Sequence, residues 1–184
     1  IAVYGPANTH SAISHIVTEG DELKLGALTF ELWHTPGHMA EHLSFYCSQE
    51  HWLFCGDTLF SMGCGRVKPT GNAESLFYSL QRISRLPSDT LVYCSHEYTA
   101  SNLNFCQHIE PNNQQLQSQL ERLARCQDQG NPTLPSSLRD EKAANVFLRV
   151  DAPEVKRAVD KYANAPVNTS LERFVILRAW KDNF

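Results

Sequence analysis

The sequence predicts an α+β fold, a mixed sheet-and-helix half followed by a helical half. Two patterns carry that expectation. Up to about residue 98 the apolar residues fall in short runs bounded by glycine, proline and serine, and after Tyr98 they recur at helical spacing. A third observation concerns chemistry: three strand-like runs each end beside a possible metal ligand. L-T-F-E-L-W-H-T-P-G-H ends at His38, H-W-L-F-C-G-D ends at Asp57, and T-L-V-Y-C-S-H-E-Y carries His96. Two imidazoles and a carboxylate at separate strand ends can meet at one edge of a sheet.

Each element follows from local pattern. I-A-V-Y-G-P reads as a strand running into a turn. Leu28, Phe30 and Leu32 alternate with Thr29, Glu31 and Trp33, the period of a half-buried strand. Residues 43–47 and 52–55 are short apolar runs joined by S-Q-E-H, a hairpin pattern. The glycine-rich stretch G-C-G-R-V-K-P-T-G reads as a loop. Asn72 can cap a helix whose apolar face is Ala73, Leu76, Phe77, Leu80 and Ile83, and L-P-S-D turns it into a strand over 90–94. Leu103, Cys106 and Ile109 form one helical stripe ended by Pro111; Leu116, Leu120 and Leu123 form a second, stopping near Gly130. N-P-T-L-P-S-S is an extended connector, because proline cannot sit in a helix interior. Pro153 opens a third helix, and 171–180 is a fourth. The expected division is a first unit over 1–98 and a helical unit over 99–184.

Composition narrows the function. The 184 residues, 42% hydrophobic, can bury the core of one domain or two small ones. No apolar run is long enough to span a membrane, and no secretory signal is visible. Ile1 is not methionine, so the chain is expected to lack its true N-terminus. Six cysteines without a C-x-x-C pair point to a reducing, cytoplasmic compartment. Net charge is −4: residues 1–98 carry 5 Lys and Arg against 10 Asp and Glu, and the remainder 11 against 10. Neither half has the basic stripe of a nucleic-acid binder.

His34, His38 and His42 fall at i, i+4 and i+8, but Pro36 and Gly37 break any helix there, so a helical zinc face is rejected. Taken singly, His38 or His96 reads as a structural histidine and Asp57 as a turn residue. Taken together, their nitrogen and hard oxygen donors suit zinc, iron or manganese. Arg178 and Lys181, at i and i+3, share a helix face, which by itself reads as a solvated helix end with favourable cation placement.

T-P-G-H (35–38), F-C-G-D-T-L-F (54–60), G-C-G-R (63–66) and Y-C-S-H-E-Y-T (93–99) resemble the metallo-β-lactamase superfamily. With P-T-L-P-S-S-L (132–138), N-V-F-L-R-V (145–150) and R-A-W-K-D-N-F (178–184), the chain is most similar to the hydroxyacylglutathione hydrolases. The resemblance implies an αββα sandwich followed by a helical C-terminal domain. It implies two divalent metals, with His38 completing one site, His96 the other, and Asp57 as the catalytic bridge between them. The nucleophile would be a metal-bridging hydroxide attacking the thioester of S-D-lactoylglutathione, giving D-lactate and glutathione. Arg66, Tyr98, Arg178 and Lys181 match the family's substrate contacts. The signature T-H-x-H-x-D-H, which supplies four further ligands in the family, is not among these residues and is expected upstream of Ile1. Met39 stands where threonine is usual, and K-P-T-G-N where an aromatic followed by E-G-T is common, so Lys68 occupies the place of a substrate-contacting tyrosine. Two other readings remain: a one-iron persulfide dioxygenase of the same superfamily, and a catalytically incomplete fragment or scaffold.

Overall fold

The computed structural model describes residues 1–184. Strands β1 (Tyr4–Gly5) and β2 (His15–Ile16) pair ahead of β3 (Glu22–Leu25), β4 (Leu28–His34), β5 (Leu43–Cys47) and β6 (Trp52–Gly56). A short ribbon of β7 (Leu59–Phe60) and β8 (Gly63–Cys64) precedes helix α1 (Ala73–Ser84) and strand β9 (Leu91–Cys94). Then come α2 (Thr99–Ile109), α3 (Gln114–Asp128), β10 (Ser136–Ser137), α4 (Leu138–Ala144), α5 (Pro153–Ala163) and α6 (Ser170–Asp182).

Six strands form one sheet in the order β10-β9-β6-β5-β4-β3. β5 is antiparallel to both β4 and β6, so those two run the same way, and β6 is parallel to β9. The carboxyl ends of β4, β6 and β9 therefore open on one edge of the sheet. That polarity delivers the loops carrying His38, Asp57 and His96 to a single place.

The helices form where capping and apolar spacing agree. The Asn72 side chain accepts the Ser75 amide N–H at 2.7 Å, and Leu76, Leu80 and Ile83 of α1 are buried. Thr169 and Glu172 close a capping box on α6, and Pro153 sits in the first turn of α5. Trp33, Tyr46, Leu53, Cys55 and Val92 from the sheet join α1, and with Leu103, Phe105, Phe147 and Phe174 they make one continuous cluster. Each such side chain, fully buried, contributes roughly 1.5–3 kcal/mol.

Both faces of β4 carry buried apolar side chains, Leu32 on one and Trp33 on the other. Trp33 points to the helices, with the Arg82 guanidinium 4.1 Å above its ring. Phe30, Phe45, Phe54 and Tyr93 line the opposite face, where Phe54 stacks on Tyr93 at 4.7 Å and remains 38% exposed. A sheet apolar on both faces belongs between two layers, as in the αββα sandwich, of which this is one β-layer with its helices. Strand β3, the ribbon β7–β8, β10 and α4 were not expected. E-L-K-L is an edge strand with charges at every second residue, α4 has only two turns, and β10 is two residues inside the proline-bounded connector. All six cysteines are unpaired, and no helix is long and apolar enough to cross a membrane.

Candidate active site

His38 lies in the turn after β4 and is 7% exposed. Its Nδ1–H donates to the Arg66 carbonyl at 2.7 Å, which leaves Nε2 with a free lone pair. That lone pair faces Asp57 Oδ2 at 3.2 Å. Asp57 follows β6 through Gly56. His96 follows β9, with Nε2 3.8 Å from Asp57 Oδ1 and its ring stacked 5.2 Å from Tyr98. The Ser95 hydroxyl donates to the same Oδ1. The carboxylate thus turns one oxygen to each imidazole.

Two lone pairs held 3.2 Å apart repel unless a proton or a cation lies between them. A tetrahedral cation with bonds of about 2.0–2.2 Å separates its donors by roughly 3.4 Å, and the two measured gaps bracket that value. The donor set therefore fits a divalent cation against each carboxylate oxygen. It supplies two donors per cation, and no group of three or more His, Cys, Asp or Glu side chains here could hold a metal ion. His38, Asp57 and His96 fit as part of each coordination shell, since zinc takes three or four protein ligands.

One residue of this site was dismissed at the sequence level. His42, at the start of the β5 segment, accepts the Asp57 amide N–H on Nε2 at 3.1 Å, and its Nδ1 meets the hydroxyls of Thr35 at 3.1 Å and Thr58 at 3.0 Å. Burial, with the neighbouring His38 adding to it, pushes its imidazole down to about 4. The H-x-x-x-H spacing was the available signal, and it was set aside with the helical reading.

Beside His38, Asp57 and His96 is a cavity of about 570 Å³ onto which Arg66, Lys68, Tyr98 and Lys181 open. Arg66 and Lys68 come from the loop after β8, and the helical half grips the backbone just before that loop, over residues 61–64. Asn102 donates to the Ser61 carbonyl at 3.0 Å, and Asn145 to that of Gly63 at 3.0 Å. Glu141 Oε2 accepts the Met62 amide at 2.9 Å, and Arg178 donates to the Cys64 carbonyl at 2.9 Å. Burial pushes the Glu141 carboxyl up to about 7. Gly65 leaves no room for a side chain, because a Cβ there would lie 2.0 Å from the Asp57 carbonyl oxygen. Gly65→Ala is expected to cost about 1–3 kcal/mol through forced backbone shift, read as a lower thermal midpoint.

Arg178 and Lys181 differ in what they offer. The Arg178 guanidinium is 5% exposed, committed to Cys64 and to Asp182 at 3.1 Å, with only Nε unpartnered. Lys181 reaches the Ser101 carbonyl at 3.1 Å, and burial together with Arg178 lowers its pKa. The Arg66 side chain is 75% exposed, with Asp182 3.7 Å away.

Comparison with known proteins identifies the family. Residues 2–96 match the metallo-beta-lactamase superfamily and residues 97–184 match the hydroxyacylglutathione hydrolase C-terminus. The chain is 44% identical over 182 residues to a hydroxyacylglutathione hydrolase of Idiomarina loihiensis, covering 98% of this chain and 71% of that protein. It is 42% identical over 187 residues to that of Nitrosomonas europaea, covering 100% and 70%. Among solved structures it resembles ETHE1 from Myxococcus xanthus, with TM-score 0.61 and 27% identity over 97% of this chain and 57% of that one. It shares its fold with a metallo-beta-lactamase from Staphylococcus aureus subsp. aureus COL, with TM-score 0.56 and 21% identity over 98% and 50%. The chain thus spans about 70% of those two curated relatives and 50–57% of those two solved chains. On matched residues, order and identity, the chain belongs to the hydroxyacylglutathione hydrolase family of the metallo-β-lactamase superfamily.

Proposed function

We propose that the protein hydrolyses glutathione thioesters, S-D-lactoylglutathione first among them, to D-lactate and glutathione. The observation that carries this is the Asp57 carboxylate with one oxygen toward each of two imidazoles, beside a cavity lined by cations. Divalent cations held there, zinc by our reading and with iron or manganese also compatible with the donors, would supply an activated water near neutral pH and polarise the thioester carbonyl. His38, Asp57 and His96 would hold them, with Asp57 turning one oxygen to each. The Arg66 carbonyl keeps His38 in the tautomer that frees Nε2. A leaving thiolate with a pKa of about 8.5 needs no strong general acid, and no free carboxyl is required for one.

Glutathione carries two carboxylates, which suits the cations at the cavity. Arg66 and Lys181 are proposed to pair with them, with the Tyr98 ring alongside, and Arg178 to act both through its guanidinium and by holding the Cys64 carbonyl. Lys181→Ala is expected to raise KM about tenfold, the scale of a lost charged hydrogen bond, with kcat little changed. Arg178→Ala should lower kcat as well, because the loop behind Arg66 and His38 loses its anchor. Steady-state kinetics with S-D-lactoylglutathione separate these outcomes, and an unchanged KM in the double variant would remove the binding assignment. The persulfide dioxygenase reading is disfavoured by the family match over residues 97–184; oxygen uptake with glutathione persulfide would restore it. Six unpaired thiols support a reducing, cytoplasmic setting.

A further inference from the structure

His42 bonds to the backbone of one proposed ligand and sits between the loops that carry two of them, yet the proposed reaction gives it no part. A backbone N–H can only donate, so the Asp57 amide, 3.1 Å from Nε2, fixes that nitrogen as an acceptor and the ring as neutral, with its proton on Nδ1. Nδ1–H donates to the Thr58 hydroxyl at 3.0 Å. That hydroxyl can then donate to the Thr35 carbonyl at 3.3 Å, while the Thr35 hydroxyl lies 2.8 Å from that of Ser44. The chain of bonds runs one way, part-buried at His42 and buried from Thr58 to Ser44.

Its members come from the turn that carries His38, the first strand residues beyond it, and the residue after Asp57. It therefore ties the loop of one proposed ligand to the loop of another. Gly56, with φ +49°, is held to glycine by the same contact, since a Cβ there would lie 2.8 Å from His42 Nε2. The Asp57 amide would otherwise be a half-buried donor without a partner, free to turn the carboxylate away from the imidazoles.

We propose that His42 is a positioning residue: its imidazole accepts the Asp57 amide and holds the carboxylate with one oxygen toward His38 and the other toward His96. This rests on the reading of Asp57 as the shared ligand of the site, and the experiment separates the two.

Zinc affinity is measured in the intact protein by competition with a chromophoric chelator, for the wild type, His42→Leu, His42→Gln and Asp57→Asn. The chemical shift of the Asp57 amide is read in the metal-free forms. Leucine fills the same space without an acceptor, whereas glutamine restores one near the position of Nε2. His42→Leu is expected to weaken zinc binding about 10- to 100-fold, the usual cost of losing a group that orients a ligand, and to move the Asp57 amide resonance. His42→Gln should return to within about threefold of the wild type by the same argument. If His42→Leu matches the wild type while Asp57→Asn loses zinc, the His42 inference fails and the site stands. If His42→Gln is as weak as His42→Leu, the hydrogen bond is not what matters and the inference fails. If Asp57→Asn itself keeps full affinity, the reading of the site falls and takes this inference with it.

Discussion

Asp57→Asn is expected to lower the turnover of S-D-lactoylglutathione on the order of a thousandfold, the scale of removing one preorganised electrostatic contact. The thermal midpoint of the metal-free protein should hardly move. Asparagine keeps an oxygen for the Ser95 hydroxyl and leaves the amide bond to His42 untouched. What it removes is the negative charge between two imidazoles, and one of the two oxygens that face them at 3.2 and 3.8 Å. Imidazole lone pairs that a shared carboxylate and its cations would satisfy would then face a neutral amide whose nitrogen cannot bind a cation. Kinetics and metal content measured on the same preparation test the expectation. Turnover within tenfold of the wild type, with metal retained, would show that Asp57 is not shared between two sites.

The second large effect concerns Glu141, far from the chemistry in sequence and fully buried. Its Oε2 accepts from the Met62 amide and from Asn145 Nδ2, both at 2.9 Å, while Oε1 and the buried Ser136 hydroxyl have no hydrogen-bond partner. Glu141→Ala strips a buried amide of its acceptor and a buried carboxamide of one of its two, and opens a cavity, for an expected loss of about 3–5 kcal/mol. Glu141→Gln keeps the accepting oxygen and places an NH2 where Oε1 stood, so at pH 5, where Glu141 is protonated in the fold, it should fall within about 1 kcal/mol of the wild type.

The two variants also separate shape from charge. A carboxyl that titrates near 7 in the fold and near 4.5 when exposed binds its proton more tightly in the native state. Its contribution is therefore fully present below pH 4.5, declines as pH rises through 7, and is flat above. The expected decline is about 3 kcal/mol. Urea unfolding of wild type and Glu141→Gln between pH 5 and 8 reads it, because the slope from this group disappears in the glutamine variant. A wild-type advantage that grows with pH would reverse the sign and refute burial as the cause.

Much of the candidate site was legible because its chemistry is local. T-P-G-H, C-G-D and C-S-H-E each combine a strand, a turn and a ligand within a few residues, so His38, Asp57 and His96 could be named before any fold was known. Capping and periodicity likewise located α1, α5 and α6, where Asn72, Pro153 and the apolar run over 171–180 act on their own neighbours. His42 escaped because its value lies in what it bonds to 15 residues away, and its spacing from His38 matched only a helix that Pro36 forbids.

The sequence by itself determined the donor types of the candidate site, the order of strands then helices, and the apolar stretches that make the sheet. Tertiary structure alone decided that β4, β6 and β9 point the same way, which puts three separate turns at one edge. It also decided that Trp33 rather than Phe30 meets the helices, and that side chains of α2, α4 and α6 hold the backbone of residues 61–64. The physical reason is the same in each case. Strand polarity, the face a strand buries and the partner of a buried donor depend on groups distant in the chain, and no local pattern encodes them.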